Sequence, residues 1–231
     1  MPGWQWIACG KHPAARDYIR LGNQFPLGSS IYSWVEQGYS QLRHGKSDQQ
    51  PIKWRFWMNG SAREKLACGI LMESADAIGR PYPLLMMGSG NLPGWEAVWE
   101  HLPIACEPVW RDAESLAFNE PNTLSKMLTG LDRMASPTEI LLDDDTLPPV
   151  LPLRTLNGDL TSEFGLFSLE TQNWSSVATA AAMRLSLMLK EASPAPPVAV
   201  FIGGNETAYM AVMRRPLKFS DFSVLWDLKQ R

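Results

Sequence analysis

Apolar residues in the first part of the chain follow the patterns of β-strands. Residues 3–9 alternate large and small side chains, and residues 52–58 alternate apolar side chains with a mixed opposite side. Residues 66–72 and 82–87 are continuously apolar, as in interior strands that are covered on both faces. The pattern therefore predicts four strands, with a polar turn at 73–81 between the last two.

Segments with helical periodicity lie between and after these strands. Apolar side chains recur roughly every 3.6 residues in several segments, as they do on the buried face of a helix. These segments are residues 29–42, 93–118, 123–134, 176–191 and a closing helix from Ser220. We expect Ser29 or Ser30 to cap the first helix, and Pro103 and Pro108 to interrupt the second.

The last third of the chain mixes strands and helices in the same way. Strands are predicted at residues 164–169, 198–203 and 208–213. The loop 136–152 holds four prolines and is the best place for a lobe boundary. The whole pattern predicts an α/β fold, a three-layer α-β-α sandwich with a mixed, largely antiparallel sheet. In this fold residues 136–231 complete the domain that residues 1–135 begin.

The composition is that of a folded protein and narrows the classes of partner. Hydrophobic residues make up 45% of the 231 residues and charged residues 19%, so the chain can bury a large core. The net charge of −3 leaves no basic surplus for nucleic acid or anionic lipid. The first residues do not resemble a signal peptide, and the longest apolar run, 178–189, is broken by Arg184. We therefore expect a cytoplasmic protein without membrane insertion.

Residues that could bind a metal or form disulfides are few and scattered. The three cysteines lie in apolar stretches, which predicts reduced side chains in the core. They are Cys9, Cys68 and Cys106. Three consecutive aspartates at 143–145 lack the alternating ligands and the glycine of a calcium loop, and a solvated acidic turn is predicted there. The sequence predicts no metal site and no cofactor.

The loop 10–18 is the segment that could be compared with a phosphate cradle. A Walker loop needs a second glycine and backbone donors, whereas Pro13 removes a donor here. No nucleophile motif accompanies the histidines, which are predicted to lie on the surface or in loops. They are His12, His44 and His101. We expect a protein that is not an enzyme, and keep a small-ligand or nucleotide-binding regulator as an alternative.

The turn 76–83, sequence DAIGRPYP, has two readings. Asp76 and Arg80 can pair across the turn and have a purely structural role. The same turn can instead present an arginine fork and rigid prolines to another protein. The residues alone leave both open.

In order along the chain, these segments resemble the TagF (ImpM-type) family, which is associated with bacterial type VI secretion. Residues 69–84 (GILMESADAIGRPYPL) follow the family pattern G-[VI]-[LM]-x-x-S-x-D-x-x-G-R-x-[FY]-P-L. Residues 10–18 (GKHPAARDY) are similar to its GKLPxxGDF motif, with two departures. Arg16 stands where the family usually has glycine, and His12 where it has an aliphatic residue. A glycine with positive φ at position 16 would leave Arg16 strained or the loop reshaped.

The resemblance implies a post-translational repressor of type VI secretion that binds and sequesters a forkhead-associated (FHA) scaffold protein. Four residues of the two motif loops are the candidate partner contacts: Lys11, Asp17, Asp76 and Arg80. Six more are expected to shape the motifs: Gly10, Pro13, Gly69, Ser74, Gly79 and Pro83. An accessory protein that docks on the secretion baseplate or membrane complex is the alternative within this system. The sequence makes no prediction of oligomeric state.

Overall fold

The computed structural model describes residues 3–42, 51–118, 123–138, 154–172 and 176–230. Its strands are β1 (Gln5–Gly10), β2 (Ile19–Gly22), β3 (Lys53–Asn59), β4 (Lys65–Met72), β5 (Leu84–Asn91), β6 (Arg154–Asn157), β7 (Phe164–Gln172), β8 (Ala199–Gly204) and β9 (Thr207–Met213). Its α-helices are α1 (Pro26–Ser40), α2 (Leu102–Ala105), α3 (Glu107–Phe118), α4 (Leu124–Asp132), α5 (Ser176–Ala192) and α6 (Phe219–Trp226).

The strands form one sheet in the order β2-β1-β5-β4-β3-β8-β9-β7-β6. Each neighbouring pair runs antiparallel. The α/β class is thus confirmed, and the sheet is antiparallel throughout the described strands rather than mixed. Pairing of β3 with β8, where Phe56 lies opposite Phe201, joins the first and last parts of the chain in the same sheet.

Alternate side chains of the strands enter two separate hydrophobic clusters. In β4, Leu66, Cys68 and Ile70 belong to a cluster shared with α2, α3, α4 and α5. Ala67 and Leu71 belong to a second cluster, shared with α1 and α6. Because successive residues of a strand point to opposite faces, helices cover both faces of the sheet. The continuously apolar sequence of β4 reflects this double burial.

The structure corrects several predicted boundaries. Helix α1 begins at Pro26 with Phe25 at the N-cap position, so neither Ser29 nor Ser30 caps it. Proline at the first helical position costs nothing, because its missing N–H would have no partner in the helix. The region 93–118 consists of two short 3-10 turns followed by α2 and α3. The short strands β2 and β6 were not predicted.

The predicted core cysteines are confirmed, since all three are buried and free. The aspartate run 143–145 and His44 lie outside the described residues. Within the described ranges, no helix has the length and hydropathy that a bilayer span requires.

Candidate functional site

The two motif loops leave the sheet side by side at one end. Strand β1 ends at Gly10 and β4 ends at Met72, and both of these residues pair with Leu84 at the start of β5. Gly10 has a φ of +123°, and a Cβ there would lie 2.0 Å from the carbonyl oxygen of Pro83. Only glycine allows this approach, which brings the loop 11–18 against the loop 73–83.

The carboxylate of Asp76 is the central group of this junction. It lies 3.1 Å from Lys11 Nζ and accepts a hydrogen bond of 2.7 Å from Arg80 Nε. It also accepts backbone N–H bonds from Ile78 and Arg80, at 3.2 Å and 2.9 Å. Burial alone would raise the pKa of Asp76, but the hydrogen bonds from Arg80, Lys11 and Ile78 outweigh it and hold this pKa well below its ordinary value.

Hydrogen bonds to backbone carbonyls connect the two loops directly. The N–H of Ala77 donates to the carbonyl of Ala15 at 2.7 Å, and Arg80 Nη2 donates to the carbonyl of Arg16 at 2.6 Å. The N–H of Tyr82 donates to the carbonyl of Ser74, which closes the second loop at its base. The two loops therefore form one unit whose shape is set by internal bonds.

The outer side of this unit is an exposed patch of mixed chemistry. Tyr18 is 53% exposed and Ile78 is 64% exposed, both high values for large apolar side chains. The Tyr18 and Tyr82 rings pack edge to face, with centroids 4.8 Å apart. We call this patch the motif-loop surface, and it consists of the exposed residues Arg16, Asp17, Tyr18, Ala77, Ile78 and Arg80. Exposed apolar groups on a fixed backbone are typical of protein-binding surfaces.

The four predicted contact residues divide into two pairs. Lys11 and Asp76 are buried beneath the surface that the exposed residues form. Asp17 and Arg80 are exposed, and their role as partner contacts stays a prediction. Tyr18 and Ile78 were not among the predicted partner contacts. An isoleucine within a polar turn does, however, indicate an exposed apolar residue.

The residues expected to shape the motifs lie in the two loops and in the strands next to them. Pro83 accepts the backbone N–H of Lys11 at 3.4 Å. Gly79 has a φ of +80° and lies at the exposed tip of the second loop. Gly69 allows β4 to approach β5, because a Cβ there would lie 2.0 Å from the carbonyl oxygen of Met86. Pro13 is exposed. The carbonyl of Ser74 accepts the backbone N–H of Tyr82 and so closes the second loop at its base.

His12 lies in a loop, as predicted, but its side chain is buried and not on the surface. The N–H of Ala14 donates to Nδ1 at 3.1 Å, so Nε2 carries the ring proton and donates to the carbonyl of Ala117 at 3.3 Å. Burial lowers the pKa of the imidazole, and the bond to Ala117 only partly opposes this effect. His12 therefore fastens the first loop to the end of α3 in its neutral form. His101 is half-buried, and its Nε2 lies 3.6 Å from Oε1 of Glu100.

Arg16 does not adopt the left-handed conformation that a glycine would permit. The expected backbone strain at this departure from the family motif is therefore absent. Its carbonyl accepts the bond from Arg80, and its side chain is exposed.

A buried ion network fixes α3 beneath the first loop. Arg55 of β3 donates to Glu114 at 2.5 Å and to Glu107 at 2.9 Å, and it also donates to Thr179 of α5 at 3.2 Å. Burial raises the pKa of Glu114, although Arg55 opposes the shift. Because α3 ends next to His12, this network also helps to position the motif loops. Sequence reasoning missed it, since its members lie far apart along the chain.

The sheet with helices on both faces defines an α/β protein. Its candidate site is a fixed surface, formed by two loops that are joined around the buried Asp76. The model of the TagF N-terminal domain, type VI secretion system-associated, matches residues 8–134. The chain belongs to this family, and the resemblance seen in the motifs is confirmed.

A solved structure supports the fold over nearly the whole chain. The crystal structure of PA0076 from Pseudomonas aeruginosa PAO1 is similar with a TM-score of 0.56 and 17% sequence identity. The match covers 96% of this chain and 93% of that chain. A search of curated proteins finds no match to this sequence.

Proposed function

We propose that this chain is a post-translational negative regulator of the type VI secretion system. It acts in the cytoplasm by binding an FHA-domain scaffold protein and withholding it from the secretion apparatus. The observation that carries the proposal is the motif-loop surface, in which two family motifs meet to expose Tyr18, Ile78 and Arg80 on one fixed unit. Family membership supplies the link to type VI secretion.

The physical case is that this surface is suited to binding without chemistry. A standard interface covers roughly 800 Å² per partner and depends on a few anchoring side chains, often tyrosine and arginine. The bonds around Asp76 fix the loops before a partner arrives, which reduces the entropy lost on association. Lys11, the residue that a phosphate cradle would use, is buried against Asp76 instead. This pairing weighs against the nucleotide-binding alternative.

Binding is tested with the purified chain and the purified FHA protein encoded in the same gene cluster. Titration calorimetry of the wild-type chain is expected to give a complex at micromolar or lower concentration. Ile78→Asp places a charge on the motif-loop surface and is expected to weaken binding roughly tenfold or more. Val177→Asp is the matched control, because Val177 is also an exposed aliphatic residue and lies on α5.

Two results would contradict the proposal. One is no complex between the wild-type chain and the scaffold at micromolar concentration. The other is equal weakening by Ile78→Asp and Val177→Asp. Capture of a purified baseplate or membrane-complex protein instead of the scaffold would favour the accessory role.

A further inference from the structure

The guanidinium of Arg80 uses only part of its bonding capacity inside the protein. Nε donates to Asp76 and Nη2 donates to the carbonyl of Arg16. Asp17 lies 3.9 Å from Nη2, beyond hydrogen-bonding distance. Within the described part of the chain, Nη1 has no partner, and the side chain is 52% exposed. The remaining N–H groups of a guanidinium fork match the two oxygens of a carboxylate.

A second free cation lies beside it. Arg16 is exposed, and among the described residues its side chain contacts no acidic group. The exposed charged side chains of the two loops are Arg16, Asp17 and Arg80, whereas Lys11 and Asp76 are buried together and the half-buried Glu73 accepts the backbone N–H of Ile52. Two of the exposed side chains are cationic and one is anionic, so this part of the surface has a surplus of one positive charge, although the chain as a whole has a net charge of −3.

We infer that the motif-loop surface recognises an acidic side chain next to an apolar one on the partner protein. The partner's carboxylate bonds to the free edge of Arg80 and lies close to Arg16. Its apolar neighbour packs on Tyr18 and Ile78, the two exposed apolar side chains of the surface. This inference rests on the proposed function and specifies the chemistry of the same surface.

The charge at the site favours a carboxylate over a phosphate. Two carboxylates already lie near Arg80: Asp17 is exposed beside it, and Asp76 forms an ion pair with it. A phosphate group near pH 7 carries close to two negative charges, one more than the exposed surplus of one positive charge, so it would leave the interface with a net negative charge. A carboxylate carries one charge, which the local surplus neutralises.

The first test compares two charge reversals in the full chain. Arg16→Glu changes a side chain without an internal acidic partner, so it should leave the melting temperature unchanged and weaken partner binding roughly tenfold or more. Arg63→Glu is the matched control. Arg63 is also an exposed arginine and lies between β3 and β4, at the opposite end of the sheet. Arg80→Lys should also weaken binding, since it keeps the charge but lacks the fork. Asp17→Asn should tighten binding slightly.

A second test identifies the group that is bound. In the Arg16→Lys variant, carbodiimide treatment of the complex should couple the introduced amine to an aspartate or glutamate of the partner, detectable by mass spectrometry. Partner protein treated with a phosphatase should bind as tightly as phosphorylated protein. A requirement for phosphorylation would overturn the carboxylate assignment.

The outcomes separate this inference from the proposed function. If the scaffold binds but Arg16→Glu and Arg63→Glu have equal affinity, the inference is wrong and the function stands. If another purified secretion protein binds in an Arg16-dependent manner and the scaffold does not, the inference stands and the proposed partner is wrong. If none of the purified proteins binds, both are wrong.

Discussion

The ammonium group of Lys11 lies 3.1 Å from the carboxylate of Asp76, although the two residues belong to loops far apart in the sequence. Both side chains are buried, and Arg80 completes the cluster from the exposed side. A buried charge is tolerated only when it is paired and hydrogen-bonded, and this condition is met here. The buried charged residues of the motifs thus hold the loops together, and the residues around them form the outer surface.

Asp76→Asn should destabilise the protein more than Arg80→Gln or Asp17→Asn. The variant keeps the shape of the side chain but leaves Lys11 as a buried cation without a counter-charge. Arg80→Gln should cost less, because Asp76 would still have Lys11 and the backbone donors. Thermal unfolding of the three proteins checks this order. Asp17→Asn, at an exposed position, is the control, and a loss there as large as that of Asp76→Asn would refute the assignment.

The depressed pKa of Asp76 also predicts an acid dependence of stability. The folded state favours the charged carboxylate, so its contribution is complete above the ordinary pKa of 3.8 and is lost as the pH falls below it. Denaturant unfolding of the wild type should therefore show a fall below about pH 4 that is reduced in Asp76→Asn. An identical fall in both proteins would show that other carboxylates are responsible.

His12 predicts a separate pH dependence at higher pH. Because its pKa is lowered in the folded state, the unfolded chain binds more protons, and stability rises with pH through this interval. The contribution is complete above the ordinary pKa of 6.5 and decreases as the pH falls below it. His12→Leu should flatten the free energy of unfolding between about pH 7 and 5. An unchanged slope in this variant would assign the effect to another group.

Two glycines of the motifs should respond differently to the same substitution. Gly10→Ala places a methyl group 2.0 Å from the carbonyl oxygen of Pro83, so the strand and loop must separate and severe destabilisation is expected. Gly79→Ala meets no atom within 4 Å and pays only for its left-handed backbone, about 1 kcal/mol. Denaturant titration measures both changes. Equal losses would mean that the loops do not meet at Gly10 as described.

The buried network of Arg55 predicts a further loss of stability, beneath the motif loops. Arg55→Met leaves Glu107 and Glu114 without their counter-charge and should cost roughly 3 kcal/mol of unfolding free energy. Arg63→Met, at an exposed turn, should change stability little. A neutral effect of Arg55→Met would show that the carboxylates find other partners or take up protons.

The sequence predicted β3 and β4 to within one residue, because they are apolar segments bounded by turns, whereas it placed β5 at 82–87 and the strand spans Leu84–Asn91. It did not predict β2, since Ile19–Gly22 is a four-residue strand with a single buried residue. The start of α1 was misplaced because Pro26 and Phe25 begin the helix without a side-chain cap. Such short or uncapped elements depend on contacts with distant parts of the chain, which the local sequence pattern does not show.

The motif loops were located correctly, but the burial of their residues was not predictable. Lys11, His12 and Asp76 are polar and would be expected at the surface. Each is buried because a partner from a distant segment satisfies it, as Ala117 does for His12. Local sequence specifies where the chain turns, whereas these contacts depend on how β1, β5 and α3 pack.

Hydrogen–deuterium exchange of the chain, free and bound to the FHA scaffold, locates the binding surface in solution. We predict slower exchange on binding for amides of residues 14–18 and 77–80, with α5 unchanged. Protection of α5 or of other elements outside the two motif loops, with these loops unaffected in a saturated complex, would contradict this assignment of the surface.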